Sequence, residues 1–228
     1  DAQAFGGSPG GYILEDQLRW IEAEVKAAEQ DRTVRFTFLA AHEPAFPSSG
    51  HVGEAMWRDG DNRVRAHVFR AGKLQPEKLG IIEIRNRLAR VAASSRKVAA
   101  VLASHEHSYI RLLVDKDTPA GEPSQDDRNL DGRIDWKGTE PASPLKDLLY
   151  PVWYLTSGGG GAPYYSEEAS PWSDHWKKSK APSAGYRFSA QGHILLFRSE
   201  GKKVSLTVLN PFGEKIDEVP DLMAVKRR

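Results

Sequence analysis

The chain has 228 residues, 39% of them hydrophobic, with a mean hydropathy of -0.54, which fits one domain or one large piece of a domain with a strongly polar surface. A formal net charge of +1 gives no overall pull towards nucleic acid or a membrane, and Lys226-Arg227-Arg228 reads as a short solvated tail. Disulfides and thiolate metal sites are excluded because there is no cysteine. No apolar run reaches the ~20 residues of a membrane-spanning helix. Nor does any basic stretch followed by an apolar one mark a secretion signal.

In chain order, Leu14, Leu18, Ile21, Val25 and Ala28 fall on one face of a helix predicted over 14–30, with Glu22 and Lys26 as an i,i+4 pair on its wet side. A strand follows at 33–41, ending at His42-Glu43-Pro44, and 45–60 reads as a loop rich in Pro, Ser and Gly. A second helix covers 81–94, with Ile81, Ile84, Leu88 and Val91 on one face. It leads into the almost unbroken apolar strand 97–103, of the kind covered on both faces. Helix, strand, helix, strand predicts an α/β layer architecture. Strands at 109–114 and 151–156 flank a polar insertion at 115–149, and strands at 193–198, 203–208 and 213–218 read as a closing meander. Neither internal repeats nor a second domain are visible.

Three histidines stand where buried strands run out: His42 after the first, His105 and His107 after the second. In open α/β sheets ligands collect beyond the carboxyl ends of the strands. Side chains at i and i+2 of an extended segment point the same way, so His105 and His107 can address one metal cluster. Neutral imidazole suits divalent transition ions. Taken alone, His42 fits a surface or core position as readily as a ligand position; the pair at a strand end favours metal.

At these residues the chain resembles the calcineurin-like metallophosphoesterases, in particular the purple-acid-phosphatase-like branch. The likeness runs through Gln17-Leu18-Arg19-Trp20-Ile21, His42-Glu43-Pro44, His51-Val52-Gly53-Glu54-Ala55-Met56, Ser104-His105-Glu106-His107-Ser108-Tyr109-Ile110-Arg111, and Val152 to Ser157 followed by Gly158-Gly159-Gly160-Gly161. Ser104 stands where that family usually carries glycine. The resemblance implies a metallophosphoesterase-type layered sandwich, two β-sheets flanked by helices, of which this chain is the C-terminal half, a single domain over 1–228 truncated on its N-terminal side. It implies that His42 and His105 bind one metal and His107 the other, as part of a pair of divalent or trivalent transition ions (Fe, Zn or Mn). His51 would face the phosphate as an anion contact or as the acid that protonates the leaving group. Read alone, His51 is equally an exposed loop histidine. The substrate class is a phosphate mono- or diester cleaved by metal-activated water; nucleic acid and membrane partners are not expected.

The family's carboxylate-bearing motifs, Asp-x-His, Gly-Asp-x-x-Asp and Gly-Asn-His, occur nowhere in the 228 residues. Asp1 falls where the preceding strand of the family ends. The expectation is therefore a chain inactive by itself, whose partner is the missing N-terminal half or a second copy, since an uncovered sheet edge invites association.

Asp127-Arg128-Asn129-Leu130-Asp131-Gly132-Arg133-Ile134-Asp135 matches the opening of an EF-hand-type calcium loop. Asp127, Asn129, Asp131 and Asp135 would ligate through side chains and Arg133 through its backbone carbonyl. Position twelve is Gly138 rather than Glu, with Glu140 as a substitute. A bound Ca2+ would order the 115–149 insertion and tilts the location towards secreted or periplasmic. The competing function is a non-catalytic, calcium-stabilised binding or surface module. The glycine run lacks the Lys-Ser/Thr of a phosphate-cradling loop and instead allows backbone to pass close to the metal site. Tyr164, Tyr165, Trp172 and Trp176 either line a substrate rim or pack a long loop. His67, His175 and His193 carry no supporting motif and read as structural or exposed.

Overall fold

The computed structural model describes residues 10–227, so Asp1, where the break is expected, and Arg228 lie outside them. Helix α1 (Glu15–Gln30) buries Leu18 and Val25, and its first turn carries Glu15 and Asp16, the sign its amino terminus favours. Glu22 pairs with Arg87 of the second helix at 3.1 Å rather than with Lys26. Strand β1 (Thr37–Ala40) is shorter than the predicted 33–41, and a hairpin that the sequence did not announce follows it, β2 (His67–Arg70) and β3 (Lys73–Pro76). Its turn, Ala71-Gly72, takes left-handed φ values of 49° and 76° without the Asn-Gly pair that normally marks such a turn. Helix α2 (Ile81–Ala93) starts on a remote cap: Asn62 Oδ1 accepts the Ile82 and Glu83 amides.

Strands β4 (Val98–Ala103), β5 (Tyr109–Val114) and β6 (Val152–Ser157) fall within a residue of the expected positions. Between β5 and β6 the insertion is pinned by a short helix, α3 (Pro123–Asp126), whose Asp126 carboxylate accepts the Glu122 and Ser143 amides and the Ser143 hydroxyl. Short helices α4 (Pro171–Lys177) and α5 (Pro182–Gly185) lead into β7 (Tyr186–Ser189), also unforeseen. The expected meander is present as β8 (Ile194–Glu200), β9 (Lys203–Leu209) and β10 (Lys215–Val219).

The main sheet runs β1-β4-β6-β5-β7, with β1, β4 and β6 parallel and β5 antiparallel to both β6 and β7. The three-stranded sheet runs β10-β9-β8 and is antiparallel throughout. Alternation along β5 and β6 divides the core. Ile110, Leu112, Val152 and Tyr154 face the cluster containing Leu18, Ile84 and Leu88 of the helices. Tyr109, Trp153 and Leu155 face Val204, Leu206 and Val208 of β9. The architecture is therefore mixed α/β: helices over one face of a mixed sheet, a second sheet over the other.

Candidate metal centre

The parallel strands β1 and β4 end side by side, and the Ser104 amide donates to the His42 carbonyl at 2.9 Å, tying the two ends together. That link fixes where the next side chains go. His105 adopts φ 55°, a left-handed conformation that costs a non-glycine residue about 1 kcal/mol or more. It turns the ring so that Nδ1 lies 3.1 Å from His42 Nε2 and Nε2 lies 3.3 Å from Glu43 Oε2. Glu43 Oε2 is buried and receives no hydrogen bond. On the other side the His51 ring stands 4.1 Å from that of His105, and His51 Nδ1 lies 3.1 Å from Glu54 Oε2. Two groups of three ligand atoms result, His42/Glu43/His105 and His51/Glu54/His105, each with all atoms within 4.8 Å.

This donor set fits a divalent transition ion: two imidazoles and a carboxylate whose buried oxygen receives no hydrogen bond. Burial, then the neighbouring His51 and His42 rings, lowers the His105 pKa and favours the neutral ring with a free lone pair. Burial pushes Glu43 upwards, a cost that a cation would offset.

His107 stands apart from both groups but lines the same cavity of about 360 Å³ as His42, His105, Ser157 and Gly158. Its Nδ1 lies 2.9 Å from the Pro163 carbonyl, which can only accept, so Nδ1 carries the proton and Nε2 offers its lone pair. Tyr165 stacks on the His107 ring at 4.5 Å and meets the His51 ring edge-on at 5.1 Å, which makes it part of the site's wall. Trp172 and Trp176 instead pack the loop. Trp172 is fully buried against Phe46 and Trp57 and donates to the Pro47 carbonyl, whereas Trp176 donates to the Leu113 carbonyl. Tyr164 is half exposed.

Glu106, between the two histidines, had no role in the reading of the motifs. Its carboxylate is completely buried and accepts the Ser48 and Ser49 amides at 2.9 and 2.7 Å, with its pKa pushed up to about 8 by burial. These bonds hold the 45–49 segment, part of the loop expected over 45–60, inside the protein, and place His51 against His105. Strict alternation was the available signal: if His105 and His107 face the ligand, Glu106 faces inward. His193, read as unsupported, is buried, with Nδ1 2.9 Å from the Gln191 carbonyl and Nε2 3.1 Å from Ser157 Oγ, bracing the cavity wall. His175 rests edge-on against Trp176, and His67 lies on β2. Gly158 shows why the glycine run is needed: a Cβ there would stand 2.1 Å from the Glu106 carbonyl oxygen.

In the 127–135 loop Asp127 Oδ2 accepts the Gly132 amide, Asn129 Oδ1 the Asp131 amide and Asp131 Oδ1 the Arg133 amide. Gly132 supplies the sharp turn at φ 85°, and Asp127 Oδ1 is buried without a hydrogen bond. The Asp127, Asp131 and Asp135 carboxylates are not among the close ligand groups of the described residues. Arg133 reaches Asp61 at 3.0 Å, and Glu140, the substitute twelfth ligand, pairs with Arg128 at 2.7 Å.

No family model matches the chain, and no curated protein matches it in sequence. Among solved structures it is similar to the purple acid phosphatase PPD1 from seeds of yellow lupin (Lupinus luteus), with 13% identity and a TM-score of 0.48 over 91% of this chain. The chain spans 28% of that phosphatase chain. At this identity and score the likeness assigns no activity.

Proposed function

We propose that the chain carries the histidine side of a metal-dependent phosphoesterase centre that hydrolyses phosphate mono- or diesters. The observation that carries the reading is the meeting of His42 and His105, 3.1 Å apart, beyond the carboxyl ends of two parallel strands. His42 and His105 hold one ion together with Glu43, whose buried Oε2 receives no hydrogen bond. His107, with its lone pair turned away from Pro163, serves the second ion, and His51 faces the phosphate. When bound, the ions clamp phosphate oxygens and lower the pKa of water to supply the nucleophile. A close pair of dications needs a bridging carboxylate, and the motifs that would carry it are absent from the sequence. Carboxylates from a partner segment complete the site.

The test is metal analysis of the purified chain after zinc or manganese loading, with turnover of a chromogenic phosphate ester measured in parallel. A single tightly held ion, lost in His42→Ala and His105→Ala, with turnover at background, is the expected result. Full retention of the ion in His105→Ala would overturn the site; steady turnover by the chain alone would overturn its incompleteness.

The competing reading, a calcium-stabilised module without catalysis, is favoured by one observation, the unpartnered buried Oδ1 of Asp127. Calcium would raise the thermal midpoint of the wild-type chain and not that of Asp127→Ala if the loop is a site.

A further inference from the structure

A cavity of about 780 Å³ opens at the opposite end of the main sheet from the histidines. Arg32, Val34 and Arg35 precede β1, and Arg96 and Lys97 precede β4, so the length of a six-residue strand, roughly 20 Å, separates this cavity from the metal centre. Seven of its lining side chains are basic and one, Glu29, is acidic, in a chain whose net charge is only +1.

Apart from Arg227, these cations are not paired with carboxylates among the described residues. Arg32, Arg35 and Lys202 are exposed and have no acidic partner within ion-pair distance among the described residues. Lys97 Nζ donates to the Ala28 and Asp31 carbonyls, and Arg96 Nε donates to the Tyr150 hydroxyl. Glu29 itself is occupied by the Ser95 hydroxyl and the Arg96 amide. Arg227 has an acidic partner, Asp221. Of the tail expected to be solvated, Arg227 is exposed, whereas Lys226 turns inward: it is 7% exposed, lies over the Tyr150 ring and donates to the Ser95 carbonyl. An ammonium buried among other cations has given up hydration without a carboxylate in direct contact, Glu29 being the acidic group nearest to it in the cavity.

We propose that this cavity binds a small soluble anion carrying clustered phosphoryl groups, held by the guanidinium groups of Arg32, Arg35 and Arg96 and the ammonium groups of Lys202 and Lys226. Guanidinium forks match phosphoryl oxygens in pairs, and several cations around one concavity select adjacent phosphates over a single one. Val34, Tyr150 and Met223 give the floor an apolar part for the body of the molecule. The site is independent of the metal centre and remains if the phosphoesterase reading fails.

The experiment is calorimetric titration of the full chain with inorganic tripolyphosphate in EDTA and low salt at about pH 6, where lysine is protonated. Saturable binding is expected, preserved in His105→Ala and about tenfold weaker in Arg35→Glu and in Lys202→Glu, each of which removes a charge-assisted contact. Both substituted residues are exposed, so the variants fold. Absence of saturable binding, loss of it in His105→Ala, or indifference to both charge reversals would overturn the proposal. Tighter binding of a short single-stranded oligonucleotide than of tripolyphosphate would overturn the small-molecule assignment.

Discussion

At the scale of single residues, Glu106 does work that its position between two histidines conceals. Two backbone amides end on its buried carboxylate, and nothing else in the described residues accepts both. Glu106→Ala therefore leaves buried donors unsatisfied, and the expected cost is about 2 kcal/mol of stability. Urea unfolding measures it; a loss below a few tenths of that figure would show that the 45–49 segment is held by other contacts. Because the same bonds place His51, zinc affinity should fall in this variant as well. Lys226 makes a second prediction at this scale. Burial lowers its pKa from 10.5 to about 7, with Glu29, Arg96, Arg227 and Tyr150 as its charged and titratable neighbours. Between those two values the unfolded chain holds the proton and the folded chain does not, so stability rises with pH across that window. The thermal midpoint of wild type, compared with Lys226→Met from pH 7 to pH 10.5, should rise more steeply.

At the scale of elements, α4 is too short to be stable by itself and is fixed by Trp172 at its first turn. That indole fills the space between Phe46 and Trp57 and is bonded to the Pro47 carbonyl and Ser48 hydroxyl. The loop under the histidine cluster and the helix after the glycine run thus share one anchor. Trp172→Ala should cost roughly 3–5 kcal/mol by cavity formation. Chemical unfolding checks the figure, and a parallel loss of metal binding would show that the loop moves with the helix. Arg85 belongs to the same assembly: its guanidinium lies under the Phe46, Trp57 and Trp172 rings and is fully buried.

At the scale of the whole molecule, the two larger sheets each end on one side in a strand that pairs with no further strand among the described residues. β1 is an outer strand of the main sheet and β8 an outer strand of the meander. Phe38 and Phe197 touch across the two layers at 5.2 Å, and both are more than a third exposed, as are Ile194 and Leu196. An edge with apolar side chains is a pairing surface. The chain should therefore self-associate with rising concentration in sedimentation experiments, and Ile194→Lys combined with Phe197→Lys should shift it towards monomer. A wild-type chain that stays monomeric at high concentration would count against this expectation.

Sequence alone determined the layer class, the buried strands and the three histidines at their ends, because buried strands and a helix face write periodic patterns that local sequence cannot hide. His42, His105 and His107 stood out for that reason. It did not determine the β2–β3 hairpin, whose exposed strands carry no alternation, nor β7, which only finds its place beside β5. The inward turn of Glu43 and Glu106, the burial of Ser48 and Ser49, and the convergence of Arg35, Arg96, Lys202 and Lys226 were decided by tertiary structure. Residues far apart in sequence meet there only after the sheet has brought β1 beside β4, and the energy of a carboxylate or ammonium depends on what surrounds it rather than on its neighbours along the chain.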